Sequence, residues 1–388
     1  MRKTADRLNG IGEYYFSQKL REIETLNQAG KNVLNLGIGS PDLPPDPSVV
    51  MALQTTAADP QAHAYQSYKG IPALRQAMAK WYQQFYGVIL DPEKEVLPLM
   101  GSKEGILHLC MTYLNPGDQV LVPNPGYPTY ASAVKLAGAE PVFYALEESN
   151  QWLPNWAALS ELDLSKVKMM WVNYPQMPTG QLPPTGVFEQ LIAFGQSNNI
   201  LVCHDNPYSF IGNPDPSSIF SVPGALDTAV ELNSLSKSHN MAGWRVGMLM
   251  GSATVVQQVL TFKSNMDSGM FLPVQKAAIA ALNLGPEWYR SLNETYAMRR
   301  QKAEELLRQL GCEPAPGQAG LFSWAKIPSD ATDAFAFSDH WLHAVGVFIT
   351  PGGIFGSAGN RFIRVSLCSP LSKMEEAIQR IKTQVQIT

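Results

Sequence analysis

Short apolar runs punctuate the chain at Val96–Met100, Gln119–Pro123, Pro141–Leu146, Lys168–Asn173, Ile200–His204, Ala229–Asn233 and Val246–Met250. Their apolar character is nearly continuous rather than alternating, which is the pattern of strands covered on both faces. Amphipathic stretches lie between them, among them Gly105–Leu114, Tyr130–Ala137 and Thr185–Ser197. Strands alternating with helices predict an α/β fold built on a mostly parallel sheet of seven strands. After about Pro273 the pattern changes. A long helical stretch over roughly 274–310, short strands near Gly320–Trp324, Val347–Thr350 and Phe362–Leu367, and a closing helix from Lys373 predict a smaller α+β unit. At the other end, Tyr14 to Ala29 predicts a helix in an N-terminal arm, joined to Gly37 by a short strand. The expected division is 1–44 as the arm and part of the small domain, 45–273 as the large domain, and 274–388 as the small C-terminal domain. No internal repeat interrupts this plan.

Composition narrows the class. The 388 residues are 45% hydrophobic and only 16% charged, so the chain can bury a large core and much of its surface should be covered. A net charge of -4 and a pI near 5.9 exclude a broadly basic surface for nucleic acid. No run of apolar residues is long enough for a membrane-spanning helix, and the first ten residues lack the apolar centre of a signal peptide. The four cysteines (Cys110, Cys203, Cys312, Cys368) are far apart, show no metal-type spacing and read as buried thiols. A reduced, cytoplasmic protein is the expectation.

Several apolar runs end in residues with chemistry. Lys237 follows the run that closes at Asn233, and a desolvated lysine has a lowered pKa and becomes a usable nucleophile or base. Eight residues on, Arg245 sits among glycines and serines, surroundings that suit a phosphate or carboxylate. Asp205 closes the run from Ile200, and a carboxylate there needs a cationic partner; Tyr208 follows at once. Gly101-Ser102-Lys103-Glu104-Gly105 lies where a strand turns into a helix, and the free N–H groups of such a turn hold an anion. Each feature also has a plain reading: a surface lysine, a surface salt bridge, a turn-capping aspartate, a simple turn.

Taken in order they form a set. Leu36 to Asp42, Tyr65 through Gly70 to Arg75, Gly101 to Gly105, Asn115-Pro116-Gly117-Asp118, Pro125-Gly126-Tyr127-Pro128, Pro178-Thr179-Gly180, Asp205 to Tyr208, Ser234 to Lys237 and Arg361 to Arg364 together resemble the class I/II aminotransferases, enzymes of fold type I that use pyridoxal 5'-phosphate. The resemblance runs from about Tyr14 to Leu367 and looks closest to the branch holding LL-diaminopimelate, alanine and aspartate aminotransferases. It implies a Schiff base between Lys237 and the cofactor, with Lys237 then acting as general base. It further implies that Asp205 pairs with the pyridinium nitrogen, Tyr208 bonds the phenolic oxygen and Tyr127 stacks on the ring. Ser102, Lys103 through its backbone, Ser234 and Arg245 would hold the phosphate, with Tyr65 reaching it from the second subunit of a homodimer. Arg364 would grip the substrate α-carboxylate, with Ile38, Gly39 and Tyr15 completing the substrate end. The implied activity passes the amino group of an L-amino acid to a 2-oxo acid in a ping-pong cycle through pyridoxamine phosphate, with no metal, nucleic acid or membrane partner.

One position departs from the family pattern. The residue before Pro178-Thr179-Gly180 is usually Asn, a donor to the phenolic oxygen; here it is Met177, which cannot donate. Gln176 is a candidate substitute, and Asn173 reads as the end of its strand. A C–S β-lyase on the same fold is the alternative within this chemistry, since it needs the same Lys237, Asp205 and Arg364. Ser234 to Lys237 also fits the S-x-x-K pattern of acyl-transfer enzymes, but no K-T-G triplet accompanies it. A non-catalytic role is opposed by the retained Lys237. His340 and His343 with Asp339 read as surface groups rather than metal ligands, and Phe355 with the Tyr14-Tyr15-Phe16 cluster as candidate pocket walls.

Overall fold

The computed structural model describes residues 2–9, 11–13 and 15–387, side chains of 385–387 excepted, so the expectation at Tyr14 falls outside the described residues. Helix α1 (Tyr15–Gln28) leads through Gly30, whose φ of 85° lets the chain turn, into the short strand β1 (Leu34–Asn35). Seven strands follow at the apolar runs: β2 (Val96–Leu99), β3 (Gln119–Asn124), β4 (Glu140–Ala145), β5 (Val167–Asn173), β6 (Leu201–Asp205), β7 (Ala229–Ser234) and β8 (Gly247–Gly251). They form one sheet in the order β2-β8-β7-β6-β5-β3-β4. Pairings among β3 to β7 are parallel, while β8 runs antiparallel to both β2 and β7. This is the expected seven-stranded, mostly parallel sheet.

Successive residues of a strand face opposite sides, so both faces must be covered. Leu97, Leu99, Val120, Val122, Met169, Trp171, Val230 and Leu232 point to one face. They pack against α4 (Ser102–Tyr113), α5 (Thr129–Leu136) and α9 (Ala253–Lys263). The helices α2 (Pro47–Ala57), α3 (Pro72–Tyr86) and α7 (Val187–Asn198) pack elsewhere, α3 bringing Leu74, Met78 and Trp81 to Met248 and Met250. The short helices α6 (Trp156–Ser160) and α8 (Leu235–Ser238) follow β4 and β7. Neither α2 nor α3 stood out in the sequence reading.

The helical stretch over 274–310 divides into two. Helix α10 (Leu272–Leu282) packs beside α2 and α3, while α11 (Pro286–Gln309) lies against the last helix of the chain. Pro286 lacks an N–H and disfavours helical conformation at the residue before it, so one continuous helix cannot pass Asn283–Gly285. Beyond α11 come β9 (Glu313–Pro314), β10 (Phe322–Lys326), α12 (Ala334–Val345), β11 (Val347–Phe348), β12 (Thr350–Pro351), β13 (Phe362–Ser366) and α13 (Leu371–Ile387). Four of these strands make an antiparallel sheet, β12-β13-β10-β9, and β11 pairs in parallel with β1. The N-terminal arm is thereby tied to the end of the chain: Ile23 and Val33 share a small core with Leu342 and Phe348, and Lys19 Nζ meets Asp339 at 2.8 Å. No helix among the described residues is long and apolar enough to cross a membrane.

Candidate active site

A cavity of about 460 Å³ opens where the parallel strands end. Asn173, Asp205 and Ser234 close β5, β6 and β7, and all three line it. The carboxyl ends of such strands are where α/β sheets bind ligands, because chain leaves the sheet there on loops free to carry polar groups. Other walls come from far away in sequence: Ile38 to Ser40 after β1, Phe16 and Leu20 of α1, Phe322 of β10, Phe355, and Arg364 of β13.

Asp205 is 4% exposed. Its Oδ2 accepts the Tyr130 hydroxyl at 2.8 Å, and its Oδ1 is buried with no hydrogen-bond partner. Burial raises its pKa from 3.8 to about 6, only partly opposed by the Tyr130 bond. Asn173 Nδ2 donates to the Asp205 backbone carbonyl at 2.5 Å, fixing the end of β6 against β5. Lys237, in the single turn of α8, directs its Nζ to the Gly39 carbonyl at 2.8 Å. Burial lowers the pKa of this amine, with the nearby Arg364 and Arg245 charges acting in the same direction.

A second group of polar atoms lines the same cavity. Ser234 caps α8, its Oγ accepting the Ser236 N–H and donating to the Val246 carbonyl. Arg245 Nη1 donates to Ser236 Oγ at 3.2 Å and to the Ala242 carbonyl at 3.1 Å. Arg245 itself has a φ of 56°, a left-handed conformation uncommon for arginine. Gly101, with φ 90°, lies directly beneath its guanidinium, and a methyl group there would overlap Arg245 Nη2. Ser102 and Lys103 open α4 beside this arginine, where the first N–H groups of a helix have no partner within it.

Arg364 is 4% exposed and enclosed by apolar groups. Its guanidinium lies 3.7 Å from the centre of the Phe322 ring and 4.5 Å from that of Phe355. Nη2 donates to the Gly37 carbonyl at 3.1 Å and Nη1 to the Met177 sulfur at 3.3 Å. Tyr127 and Tyr208 line the cavity, Tyr127 meeting Tyr130 edge-on at 5.6 Å; burial raises the pKa of both hydroxyls.

The cavity thus gathers Lys237, Asp205, Tyr208, Tyr127, Ser102, Lys103, Ser234, Arg245, Arg364, Gly39 and Ile38. Three sequence-derived candidates lie elsewhere. Tyr65 is 90% exposed on the surface of this chain. Tyr15 turns its ring to Phe335 at 5.9 Å, and the neighbouring Phe16 faces the cavity in its place, 5.8 Å from the Arg364 guanidinium. Gln176 does not reach the cavity either. Its Nε2 donates to the Pro125 carbonyl at 2.9 Å and its Oε1 accepts from Thr179, so both ends of the amide are committed. His343 pairs with Glu22 on the surface, and Asp339 pairs with the buried Lys19. Among the described residues, the one converging trio of possible metal ligands is Glu104, His108 and Asp267, in which Glu104 bonds His108 and Asp267 bonds Lys263. Sequence reasoning missed Tyr130, Ser236, Phe322 and the Met177 contact. Of these only Tyr130 left a signal, one helical turn from Tyr127.

The family described as aminotransferase class I and II matches residues 31–381. A curated relative, the LL-diaminopimelate aminotransferase of Dehalococcoides mccartyi, is 42% identical over 98% of this chain and 98% of its own. Among solved structures, apo-BacF of Bacillus subtilis superposes with a TM-score of 0.94 at 35% identity, covering 99% of this chain and 98% of that one. A probable N-succinyldiaminopimelate aminotransferase of Thermus thermophilus gives 0.88 at 31%, covering 95% and 99%.

Proposed function

The chain belongs to the aminotransferase class I and II family, and on that footing we propose that this cavity binds pyridoxal 5'-phosphate and serves transfer of an amino group from an L-amino acid to a 2-oxo acid. The observation that carries the reading is the unpartnered, buried Oδ1 of Asp205 in a cavity that also holds a buried lysine amine. A buried carboxylate oxygen without a donor is costly, and a protonated ring nitrogen is the partner that would satisfy it. The wall of Ser102, Ser234, Ser236 and Arg245 is equally suited to a phosphate: hydroxyls, helix-start N–H groups and one guanidinium converge there. The residues present therefore fit the cofactor.

When bound, the cofactor would supply an aldehyde that takes up amino groups and a ring that draws electrons from the substrate's α-carbon. The protein's part is positioning and proton handling. Asp205 would face the positive charge of the ring nitrogen, with Tyr130 fixing its other oxygen. Tyr208 would offer its hydroxyl to the ring oxygen, and Tyr127 its face to the ring. Lys237 is the amine that would carry the cofactor between turnovers. Its burial favours the neutral form, so once free it can take up the proton released at the α-carbon. Arg364 receives the α-carboxylate on its planar fork, and Phe322, Phe355 and Met177 keep water from it. The family resemblance assigns Tyr65 to the neighbouring site of a homodimer, and its exposure on this chain leaves it available for that role. The activity named for the curated relative makes LL-diaminopimelate the first donor to try.

The test is spectroscopic. Protein reconstituted with pyridoxal 5'-phosphate is mixed with single amino acids and no acceptor, then with a 2-oxo acid. A visible band that bleaches with the donor and returns with the acceptor is the expected result. Steady release of 2-oxo acid and ammonia without any acceptor would assign elimination instead, and failure to develop a band would overturn the cofactor and the roles built on Lys237.

A further inference from the structure

The loop from Gly37 to Pro44 is held more tightly than a connecting loop needs to be. At its start, the Ser366 N–H donates to the Leu36 carbonyl at 2.8 Å, while Thr350 Oγ1 and Arg364 Nη2 both donate to the Gly37 carbonyl, at 2.9 and 3.1 Å. In its middle, Gly39 packs on the Phe322 ring so closely that a methyl group would overlap it, and its carbonyl accepts Lys237 Nζ. At its end, Asn240 Nδ2 donates to the Pro44 carbonyl at 3.1 Å. Between these lies Asp42. Arg299 of α11, 4% exposed, grips it with both arms of the guanidinium, Nη1 to Oδ1 at 2.6 Å and Nη2 to Oδ2 at 2.9 Å. The same Nη1 donates to the Leu367 carbonyl at 2.9 Å, three residues along the chain from Arg364. The loop is therefore anchored at its start and at Asp42 to one stretch of chain, 364–367.

Resting on the reading above, in which Arg364 receives the substrate carboxylate, we propose that the Arg299–Asp42 pair is a positioning element for that carboxylate. Arg299 touches neither substrate nor cofactor. It sets the separation between the Arg364 fork and the backbone of Ile38 to Ser40, which line the same end of the cavity. A bidentate pair is stiff because two parallel bonds fix both distance and plane. Without it the loop keeps its holds at Gly37, Gly39 and Pro44 but loses the one at Asp42, and the Ile38–Ser40 backbone is less firmly set relative to Arg364.

The experiment uses the full chain loaded with pyridoxal 5'-phosphate and the variants Arg299→Met, Arg299→Lys and Asp42→Asn. The readouts are kcat and KM for the amino donor, the visible spectrum, and retention of cofactor on dialysis. The expected result is a KM raised roughly 10- to 100-fold, the scale of an ångström-sized misplacement, with kcat nearly unchanged. Spectrum and cofactor retention stay at wild-type values, because Asp205, Lys237 and Arg245 are untouched. Arg299→Lys falls between, since it keeps the charge and loses the fork. The double variant Arg299→Met with Asp42→Asn is no worse than the worse single one, as befits two halves of one pair. An unchanged KM overturns the proposal, as does a parallel fall of kcat, cofactor retention and melting temperature, the mark of a merely structural pair. Should Arg299→Met fail to fold, Asp42→Asn carries the same test. A wild-type protein that moves no amino group overturns the parent reading, an outcome distinct from active variants with a wild-type KM.

Discussion

Asp205→Asn in the cofactor-free protein separates the cost of the site from its use. Ionised Asp205 is buried with one oxygen unpartnered, and burial lifts its pKa from 3.8 to about 6. That rise corresponds to about 3 kcal/mol at about 1.4 kcal/mol for each pH unit. The sign follows from proton binding. Between pH 4 and 6 the folded chain holds a proton that the unfolded chain has lost, so stability falls as pH climbs through that window and is flat above it. Asparagine does not titrate, keeps an oxygen for the Tyr130 hydroxyl and occupies nearly the same volume. The variant's advantage over wild type should therefore grow by about 2 kcal/mol from pH 4.5 to pH 8. Urea unfolding of both proteins at the two pH values measures it. With cofactor added at pH 8 the order should reverse, because the carboxylate then has a cation to face and the amide cannot match it. An advantage that stays flat or shrinks with rising pH would refute the reasoning, and so would a cofactor that stabilises both proteins equally.

Three further outcomes follow from the same geometry. Met177→Asn places a donor beside the ring-oxygen site; a hydrogen bond to a charged acceptor is worth about 1.5–3 kcal/mol, so the pH midpoint of the loaded protein's visible band should drop by about one to two pH units, read by spectrophotometric titration. Gly101→Ala forces Arg245 off its seat and strains a backbone held at a φ of 90°; it should loosen cofactor roughly tenfold or more, measured by equilibrium dialysis, and lower the melting temperature as well. Arg364→Lys keeps the charge but gives up the fork and its contacts with two aromatic rings, and the KM for amino donors should rise by roughly 100-fold with cofactor binding intact.

The large sheet was legible because its strands are buried on both faces, which writes them as unbroken apolar runs. Asp205 and Ser234 were legible for a related reason: a polar residue that closes such a run stands out. What escaped depended on distance in sequence. Nothing near Met177 announces that its sulfur will meet a guanidinium 187 positions later, and nothing near Arg364 announces that Phe322 will lie across its face. Tyr15 and Phe16 show the limit in miniature. Both are aromatic and adjacent, and only the docking of α1 decides that Phe16 enters the cavity while Tyr15 meets Phe335. The break between α10 and α11 was written in Gly285-Pro286, but helical periodicity on both sides masked it.

The order in which these parts leave the ribosome has a consequence of its own. Ser102, Asp205, Ser234, Lys237 and Arg245 all precede Val246, and the sheet that displays them is complete at Gly251. Arg364 arrives only well after Gly251, and β1 waits for β11 before it has a neighbour. On the proposed reading, a nascent chain can therefore assemble the wall assigned to the phosphate long before it holds the arginine assigned to the substrate carboxylate. The arm that carries α1 and β1 is made before the sheet yet finds its place only after it.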